Sequence, residues 1–165
     1  MEPSAILSFK DEYLRLATNK DQAKKIANHV MLIDDFIANE IKLGNINSSL
    51  FSTDEKTIKL HVHCHQKVLA NTAAPFELLN LPTNYNVSII NSGCCGMAGS
   101  FGYEKEHYEV SMQMGELSLF PKIRKANENV IIAATGTSCR HQIKDGTSRR
   151  ALHPISILKN ALLSL

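Results

Sequence analysis

The sequence predicts an α/β domain with an open parallel sheet flanked by helices, a Rossmann-like three-layer arrangement, preceded by an N-terminal helical segment. Three β-prone runs support this prediction: 57–63 ("TIKLHVH"), 86–90 ("NVSII") and 129–135 ("NVIIAAT"). Each run is followed by a stretch that can form a helix. Strands that are nearly continuous in apolar or β-branched residues are typical of a parallel sheet covered on both faces.

The helical prediction rests on the spacing of apolar residues. Residues 20–42 repeat apolar side chains with a helical period, which predicts one amphipathic helix before the sheet. Val110, Met114 and Leu117 recur at helical spacing, which is typical of a core-facing stripe. The helices expected after the first strand are 66–80, 104–127 with a break at Pro121, 138–144, and 154–164 started by Pro154.

Composition narrows the class of protein. The chain has 165 residues, with 18 basic and 16 acidic side chains and a formal net charge of +2. This balance gives no electrostatic reason to expect nucleic acid as a partner. The apolar runs are far shorter than the roughly 20 residues of a membrane-spanning helix, and no signal pattern opens the chain, so we predict no transmembrane segment and a cytoplasmic location.

The four cysteines all follow predicted strands. Cys64 comes one residue after the first strand, Cys94 and Cys95 come after the second, and Cys139 comes after the third. In an open α/β sheet the ligand crevice lies outside the carboxyl ends of the strands. We therefore expect these four thiols to converge, and in a reducing compartment they are candidate metal ligands rather than disulfides.

The sequence around the cysteines favours a thiolate site. We expect each cysteine to open a helix, and the positive end of a helix lowers the pKa of a thiol. Gly93, Gly96 and Gly99 surround the adjacent pair, and glycines let the backbone approach a bulky inorganic group. They are the candidate cofactor-binding residues.

The adjacent pair favours an iron–sulfur cluster over a single zinc ion. Structural zinc usually takes cysteines two to four residues apart, whereas a cluster offers a separate iron to each of two neighbouring cysteines. Zinc or bare thiols that hold three loops together remain an alternative, as does thiol–disulfide chemistry between Cys94 and Cys95. Buried cysteines are also common as ordinary core residues.

Four segments together resemble a known family. They are "HVHCHQK" (61–67), "GCCGMAGSFGYEKEHYEVS" (93–111), "GTSCRHQI" (136–143) and "ALHPISIL" (151–158). They resemble the cysteine-rich CCG domain at the C-terminal part of FAD-linked oxidases and dehydrogenases of D-2-hydroxy acids. The same domain type occurs in the iron–sulfur subunit of glycolate oxidase and in one of the subunits of heterodisulfide reductase.

The resemblance implies an electron-transfer domain rather than a complete enzyme. It implies that Cys64, Cys94, Cys95 and Cys139 bind an iron–sulfur cluster that takes electrons from a flavin and passes them to an acceptor the sequence does not identify. The expected partner is a flavin-binding dehydrogenase domain or subunit, with FAD in an upstream region. Such a protein would be cytoplasmic or peripheral at the inner membrane face.

The resemblance also suggests how the chain is divided. Residues 1–50 resemble the tail of an upstream copy of the same domain, and 51–165 form the CCG domain itself. Ala5 stands where that upstream copy usually ends in cysteine ("EPSC"), so a cluster in the upstream copy is not expected. Gln142 replaces the second cysteine of the CxxC found in heterodisulfide reductase, which favours an ordinary four-cysteine [4Fe–4S] site.

Overall fold

The computed structural model describes residues 2–163 and contains a four-stranded parallel sheet. The strand order is β2-β1-β3-β4, and every pairing is parallel. The strands are β1 (Lys56–His61), β2 (Tyr85–Ile89), β3 (Ile131–Ala134) and β4 (Ala151–Leu152). The predicted parallel α/β fold is confirmed, although the sequence did not indicate the short strand β4.

Ten α-helices surround this sheet in the described part of the chain. They are α1 (Pro3–Leu7), α2 (Glu12–Leu16), α3 (Lys20–His29), α4 (Ile33–Lys42), α5 (Cys64–Leu69), α6 (Ala74–Leu79), α7 (Tyr108–Glu116), α8 (Leu119–Arg124), α9 (Thr137–Thr147) and α10 (Pro154–Asn160). The last helix begins at Pro154 as predicted and ends at Asn160. Residue 164 of the predicted helix lies outside the described residues.

Two apolar cores lie on opposite faces of the sheet, which gives the three layers. On one face Ile132 of β3 packs with residues of α8 and α9, including Phe120 and Ile143. On the other face Leu60 and Ala133 pack with residues of α6 and α10. Neighbouring residues of one strand thus enter different cores, because side chains alternate across a sheet.

The single helix predicted over 20–42 is wrong. The chain is extended at Val30 and Leu32, which separates α3 from α4, and Leu32 is almost fully buried. The two helices have different neighbours: α3 packs on α2, whereas α4 packs on α6 and α10. A straight helix could not place one apolar stripe against both sets of partners.

The core-facing stripe predicted on α7 is also wrong. Val110 is 49% exposed and Leu117 is 85% exposed. The inward face carries the small residues Ser111 and Gly115, because a Cβ at Gly115 would lie only 2.3 Å from the Phe120 ring. The small side chains on this face let α7 pack close to Phe120, so large apolar side chains do not form the contact.

The break predicted at Pro121 falls a few residues earlier, between α7 and α8. Pro121 lies in the first turn of α8, where the missing N–H costs no helical hydrogen bond.

In the described part of the chain no helix has the length and apolar character that crossing a membrane requires.

The N-terminal helical segment shares the core of the sheet. Ile37 and Ile41 of α4 pack against the apolar cluster that contains Leu60. The division of the chain near residue 50, with 51–165 as the CCG domain, stays a prediction.

Asp34, in the first turn of α4, has a buried carboxyl group. Replacing this residue should stabilise the fold. Burial, opposed by the Gln66 amide and reinforced by the Asp35 charge, raises the pKa of Asp34 from 3.8 to about 6. Oδ1 of Asp34 lacks a hydrogen-bond partner among residues 2–163. The ionised carboxylate therefore destabilises the native state at neutral pH.

We expect Asp34→Asn to raise the free energy of unfolding at neutral pH by about 2 to 3 kcal/mol. Because the folded-state pKa is raised, the stability of the parent chain should fall as the pH rises from 3.8 to about 6, and this fall should disappear in the variant. Denaturant unfolding at several pH values measures both effects. Asp21→Asn, on the exposed face of α3, is the control and should change little. A variant with unchanged stability and an unchanged pH profile would contradict this interpretation.

Candidate metal centre

The four cysteines lie where the strand order of the sheet changes direction. From β1 the chain passes to β2 on one side and later to β3 on the other side. The carboxyl ends of β1 and β3 are therefore adjacent, and the crevice between them is the usual ligand position in an open parallel sheet. Cys64 follows β1 and Cys139 follows β3 across this crevice.

The thiols form a continuous group of interacting side chains. Cys64 interacts with Cys94, Cys94 with Cys95, and Cys95 with Cys139. Cys95 and Cys139 are buried, with exposures of 3% and 1%, whereas Cys64 and Cys94 are half-buried. The structure thus brings the predicted ligands together, with one end of the group in the core and the other end near the surface.

The expectation that each cysteine opens a helix holds for two of them. Cys64 is the first residue of α5, and Cys139 lies in the first turn of α9. Cys94 and Cys95 lie in a loop, and the next helical turn begins only at Phe101. In place of a helix terminus, the Gly96 N–H donates a hydrogen bond to the Cys94 sulfur over 3.3 Å.

The contacts between the thiols separate their pKa values. The hydrogen bond from the Cys64 thiol, followed by that from Cys95, lowers the pKa of Cys94 far below its usual value, and the same contact raises the pKa of Cys64. The Cys95 thiol likewise lowers the pKa of Cys139, and the pKa of Cys95 rises. The lowered pKa of Cys94 and of Cys139 favours the thiolate, the form of cysteine that binds metal.

The three predicted cofactor-binding glycines have different surroundings. Gly96 has a φ of 100°, and a Cβ there would lie 2.1 Å from the Ser111 carbonyl oxygen. Gly99 has a φ of 71° with open space where its Cβ would be, and Gly93 has open space with an ordinary φ. Gly96 is thus required by the packing of the loop on α7, while contact of any of the three with a cofactor stays a prediction.

A cavity of about 380 Å³ opens onto the half-buried end of the group. Its lining comes from α1, α5 and the loop after β2, and comprises Ser4, His63, Cys64, His65, Cys94, Cys95, Ala98 and Gly99. A larger cleft of about 690 Å³ lies at the opposite, amino-terminal ends of the strands and is lined by polar side chains without a thiol. Of these two spaces, the smaller is the one that combines volume with metal-binding donors.

Sequence reasoning missed His61 as a member of the site. His61 is the last residue of β1 and is fully buried. One of its ring nitrogens and the sulfurs of Cys95 and Cys139 all lie within 4.8 Å of one another. The available signal was a histidine at the carboxyl end of a strand, three residues before Cys64.

Sequence reasoning also missed Glu2, which fastens the start of the chain to the site. Its carboxylate accepts a hydrogen bond from the Ser138 N–H over 2.8 Å and contacts His63 Nε2 at 2.9 Å. His63 Nδ1 in turn accepts from the His65 N–H and so caps α5. Glu2 thereby links α5 and α9, the helices that carry Cys64 and Cys139.

Gln142, which stands where the CxxC motif has its second cysteine, has a structural role here. Its side chain is buried and donates from Nε2 to the Ser111 carbonyl at 3.0 Å and to the Ser111 hydroxyl at 2.8 Å. The same nitrogen would lie 3.1 Å from a Cβ at Gly96. Gln142 therefore joins α9, which carries Cys139, to α7 at a point beside Gly96.

We expect Glu2→Gln to destabilise the chain in a pH-dependent way. Burial alone would raise the pKa of Glu2, but hydrogen bonds from His63 and Ser138 and the charge of His63 hold it at about 2, below the usual 4.5. A lowered folded-state pKa means that the carboxylate stabilises the fold above pH 4.5 and loses this effect as the pH falls toward 2. Because the pair is partly exposed, the loss should be about 1 to 2 kcal/mol.

Denaturant unfolding of both chains between pH 4.5 and 2 measures this effect. The two stabilities should converge as the pH falls, because the parent carboxylate becomes protonated. Glu55→Gln, at an exposed position, serves as the control. A constant difference between the parent chain and Glu2→Gln at all pH values would show that shape rather than charge matters at this position.

The fold and the site define an α/β protein with a candidate metal centre of thiolate and imidazole donors. The chain is similar to a subunit of the anaerobic glycerol-3-phosphate dehydrogenase of Escherichia coli (strain K12), with 34% identity over 102 residues, 62% of this chain and 25% of that protein. It is also similar to D-2-hydroxyglutarate dehydrogenase of the same strain, with 28% identity over 162 residues, 96% of this chain and 15% of that protein.

A third relative is lactate utilization protein A of Bacillus licheniformis, with 25% identity over 122 residues, 72% of this chain and 47% of that protein. No family model matches the chain. No solved structure matches it either. The chain spans less than half the length of each of these three relatives, two of which are dehydrogenases or subunits of them by name.

Proposed function

We propose that this chain is an electron-transfer domain of a flavin-dependent oxidoreductase acting on hydroxy acids, with Cys64, Cys94, Cys95 and Cys139 as ligands of a [4Fe–4S] cluster. The observation that carries the proposal is the continuous group of four thiols at the point where the strand order changes direction. Similarity to dehydrogenases and their subunits supports the oxidoreductase class. An iron–sulfur cluster supplies one-electron redox chemistry when bound.

The donor chemistry of the residues fits such a group. Four cysteine sulfurs are the usual ligand set of a [4Fe–4S] cluster, and the lowered pKa of Cys94 and of Cys139 favours their thiolate forms. The Gly96 N–H directed at the Cys94 sulfur is the kind of hydrogen bond that stabilises charge on a ligand sulfur. Binding of the metal would displace the protons that Cys64 and Cys95 keep.

The difference in burial suggests how a redox partner approaches. Cys95 and Cys139 are buried, whereas Cys64 and Cys94 are half-buried where they line the open cavity. Val68, on α5 beside Cys64, is 80% exposed and offers an apolar contact next to this opening. We propose that a flavin-binding domain or subunit docks on this side, so that electrons enter through the half-buried sulfurs.

A second candidate is a single-metal site, and one observation favours it. His61, Cys95 and Cys139 are close enough together to hold one ion, and zinc accepts such nitrogen and sulfur donors. In this arrangement Cys64 and Cys94 would not bind the ion. The protein would then be a structural metal-binding module without redox activity.

The test is reduction of the anaerobically reconstituted chain by a chemically reduced flavin. The proposal predicts partial bleaching of the visible absorbance, and its return on addition of a one-electron oxidant. Chain that has not been reconstituted is the control and should show neither change. We also expect no oxidation of D-2-hydroxy acids by the chain alone. Colour that no reduced flavin can bleach, or turnover that scales with this chain, would contradict the proposal.

A further inference from the structure

His61 has one ring nitrogen without a partner although the side chain is fully buried. Nδ1 lies 2.9 Å from the Ser92 hydroxyl, whereas Nε2 has no hydrogen-bond partner among the described residues. A buried polar atom without a partner is costly and uncommon in a native structure. The packing of β1 therefore does not explain why Nε2 of this buried ring has no partner.

The contacts of the Ser92 hydroxyl favour a proton on Nδ1 of His61. Its oxygen lies 3.5 Å from the Ile90 carbonyl, to which the hydroxyl can donate. With its proton directed there, the Ser92 oxygen accepts from the Nδ1–H of His61. This arrangement leaves a lone pair on Nε2, the state in which histidine binds a metal.

A ring nitrogen of His61 lies beside the two most buried cysteines. One ring nitrogen of His61 is within 4.8 Å of the sulfurs of both Cys95 and Cys139, and Nε2 is the nitrogen not engaged with Ser92. A metal-binding histidine characteristically uses its other ring nitrogen to bond a fixed protein group. The His61–Ser92 contact has that form.

We propose that His61 Nε2 is a direct ligand of the metal group at its buried end, alongside Cys95 and Cys139. This proposal rests on the proposed function, because it assigns a fifth donor to the same site. With four cysteines already bound, one of the four irons at the buried end would then carry two protein ligands. A nitrogen ligand would remove the one unpartnered polar atom of the ring. It would also make the buried end chemically different from the all-sulfur end near the surface.

One competing arrangement uses the same contacts. Nε2 could carry the proton and donate a hydrogen bond to the Cys139 sulfur without binding the metal. The two arrangements differ in the strength of the magnetic coupling between the ring nitrogen and the unpaired electrons of the reduced iron. A bound nitrogen couples strongly, whereas a nitrogen that only donates to sulfur couples weakly.

The experiment is pulsed electron paramagnetic resonance on the full chain, reconstituted anaerobically with iron and sulfide, reduced, and labelled with ¹⁵N-histidine. The proposal predicts a strong histidine nitrogen coupling in the parent chain and its absence in His61→Asn. Asparagine retains a group that can hydrogen-bond Ser92 but lacks an equivalent of Nε2. Iron binding by this variant should weaken at least about tenfold.

His29→Asn, at the exposed end of α3, is the matched control and should keep both the coupling and the iron. Should His61→Asn fail to fold, the coupling in the labelled parent chain still decides the matter, with Ser92→Ala expected to weaken it. A cluster that forms with only weak nitrogen coupling would overturn the His61 assignment while leaving the proposed function intact. A parent chain that binds no iron would overturn both.

Discussion

Replacing Cys139 by serine should remove most of the iron that the reconstituted chain binds, with a loss of at least about tenfold in affinity. Cys139 is the most deeply buried of the four thiols, and the neighbouring Cys95 thiol lowers its pKa. A serine oxygen is a poor substitute for a soft thiolate ligand of iron. Iron analysis and the visible spectrum after anaerobic reconstitution measure this loss.

The control for this substitution lies at the other end of the same helix. Thr147→Ser changes one methyl group near the end of α9, where the hydroxyl bonds the Ile143 carbonyl, and should leave the iron content unchanged. Cys139→Ser is nearly isosteric, so the fold should persist with modest loss of stability. Normal iron content in Cys139→Ser would show that this thiol is only a core residue.

Serine substitutions at Cys94 and Cys95 test whether both members of the adjacent pair are ligands. If Cys94 and Cys95 bind different irons, Cys94→Ser and Cys95→Ser should each lower the iron content and change the spectrum. If only one of the two is a ligand, the other variant will resemble the parent chain. The single-metal alternative predicts a large loss for Cys95→Ser and almost none for Cys94→Ser.

Gly96→Ala should cost at least about 3 kcal/mol of stability, because it combines backbone strain with a steric clash. The φ of 100° is strongly unfavourable for alanine, and the new Cβ would lie 2.1 Å from the Ser111 backbone oxygen. Neither strain can be relieved by a side-chain rotation. The loop that carries Cys94 and Cys95 would have to move, so we also expect iron binding to be lost.

Gly93→Ala is the matched control in the same loop. Its φ is ordinary and its Cβ would meet nothing within 4 Å, so the change should stay within about 0.5 kcal/mol. Gly99→Ala, with a φ of 71° and open space, should be intermediate at about 1 kcal/mol. Denaturant unfolding of the three variants tests this order, and equal stabilities would contradict it.

The sequence was a good guide to the sheet and to the position of the thiols, because both depend on local patterns. Runs rich in β-branched residues can be predicted as strands from the sequence alone. A cysteine just after such a strand must lie at the carboxyl edge of the sheet. The position of Cys64 and that of Cys139 followed from this rule alone. The convergence of residues 75 positions apart required only that the strands be parallel and adjacent.

The contacts that surround the thiols depend on distant residues, which local patterns do not report. Glu2 bonds Ser138 across 136 positions of the chain. The stripe containing Val110 and Leu117 had the correct period, but the choice of the inward face was decided by the close approach of Phe120 to Gly115. Periodicity identifies a helix without showing which neighbours it will meet.

The central claim is that four cysteines of this chain hold one iron–sulfur cluster. The most direct measurement is the amount of iron and acid-labile sulfide per folded chain after anaerobic reconstitution, with zinc determined in the same sample. A [4Fe–4S] cluster held by these cysteines gives about four irons and about four sulfides per chain. One zinc ion per chain without sulfide, or no metal at all, would contradict it.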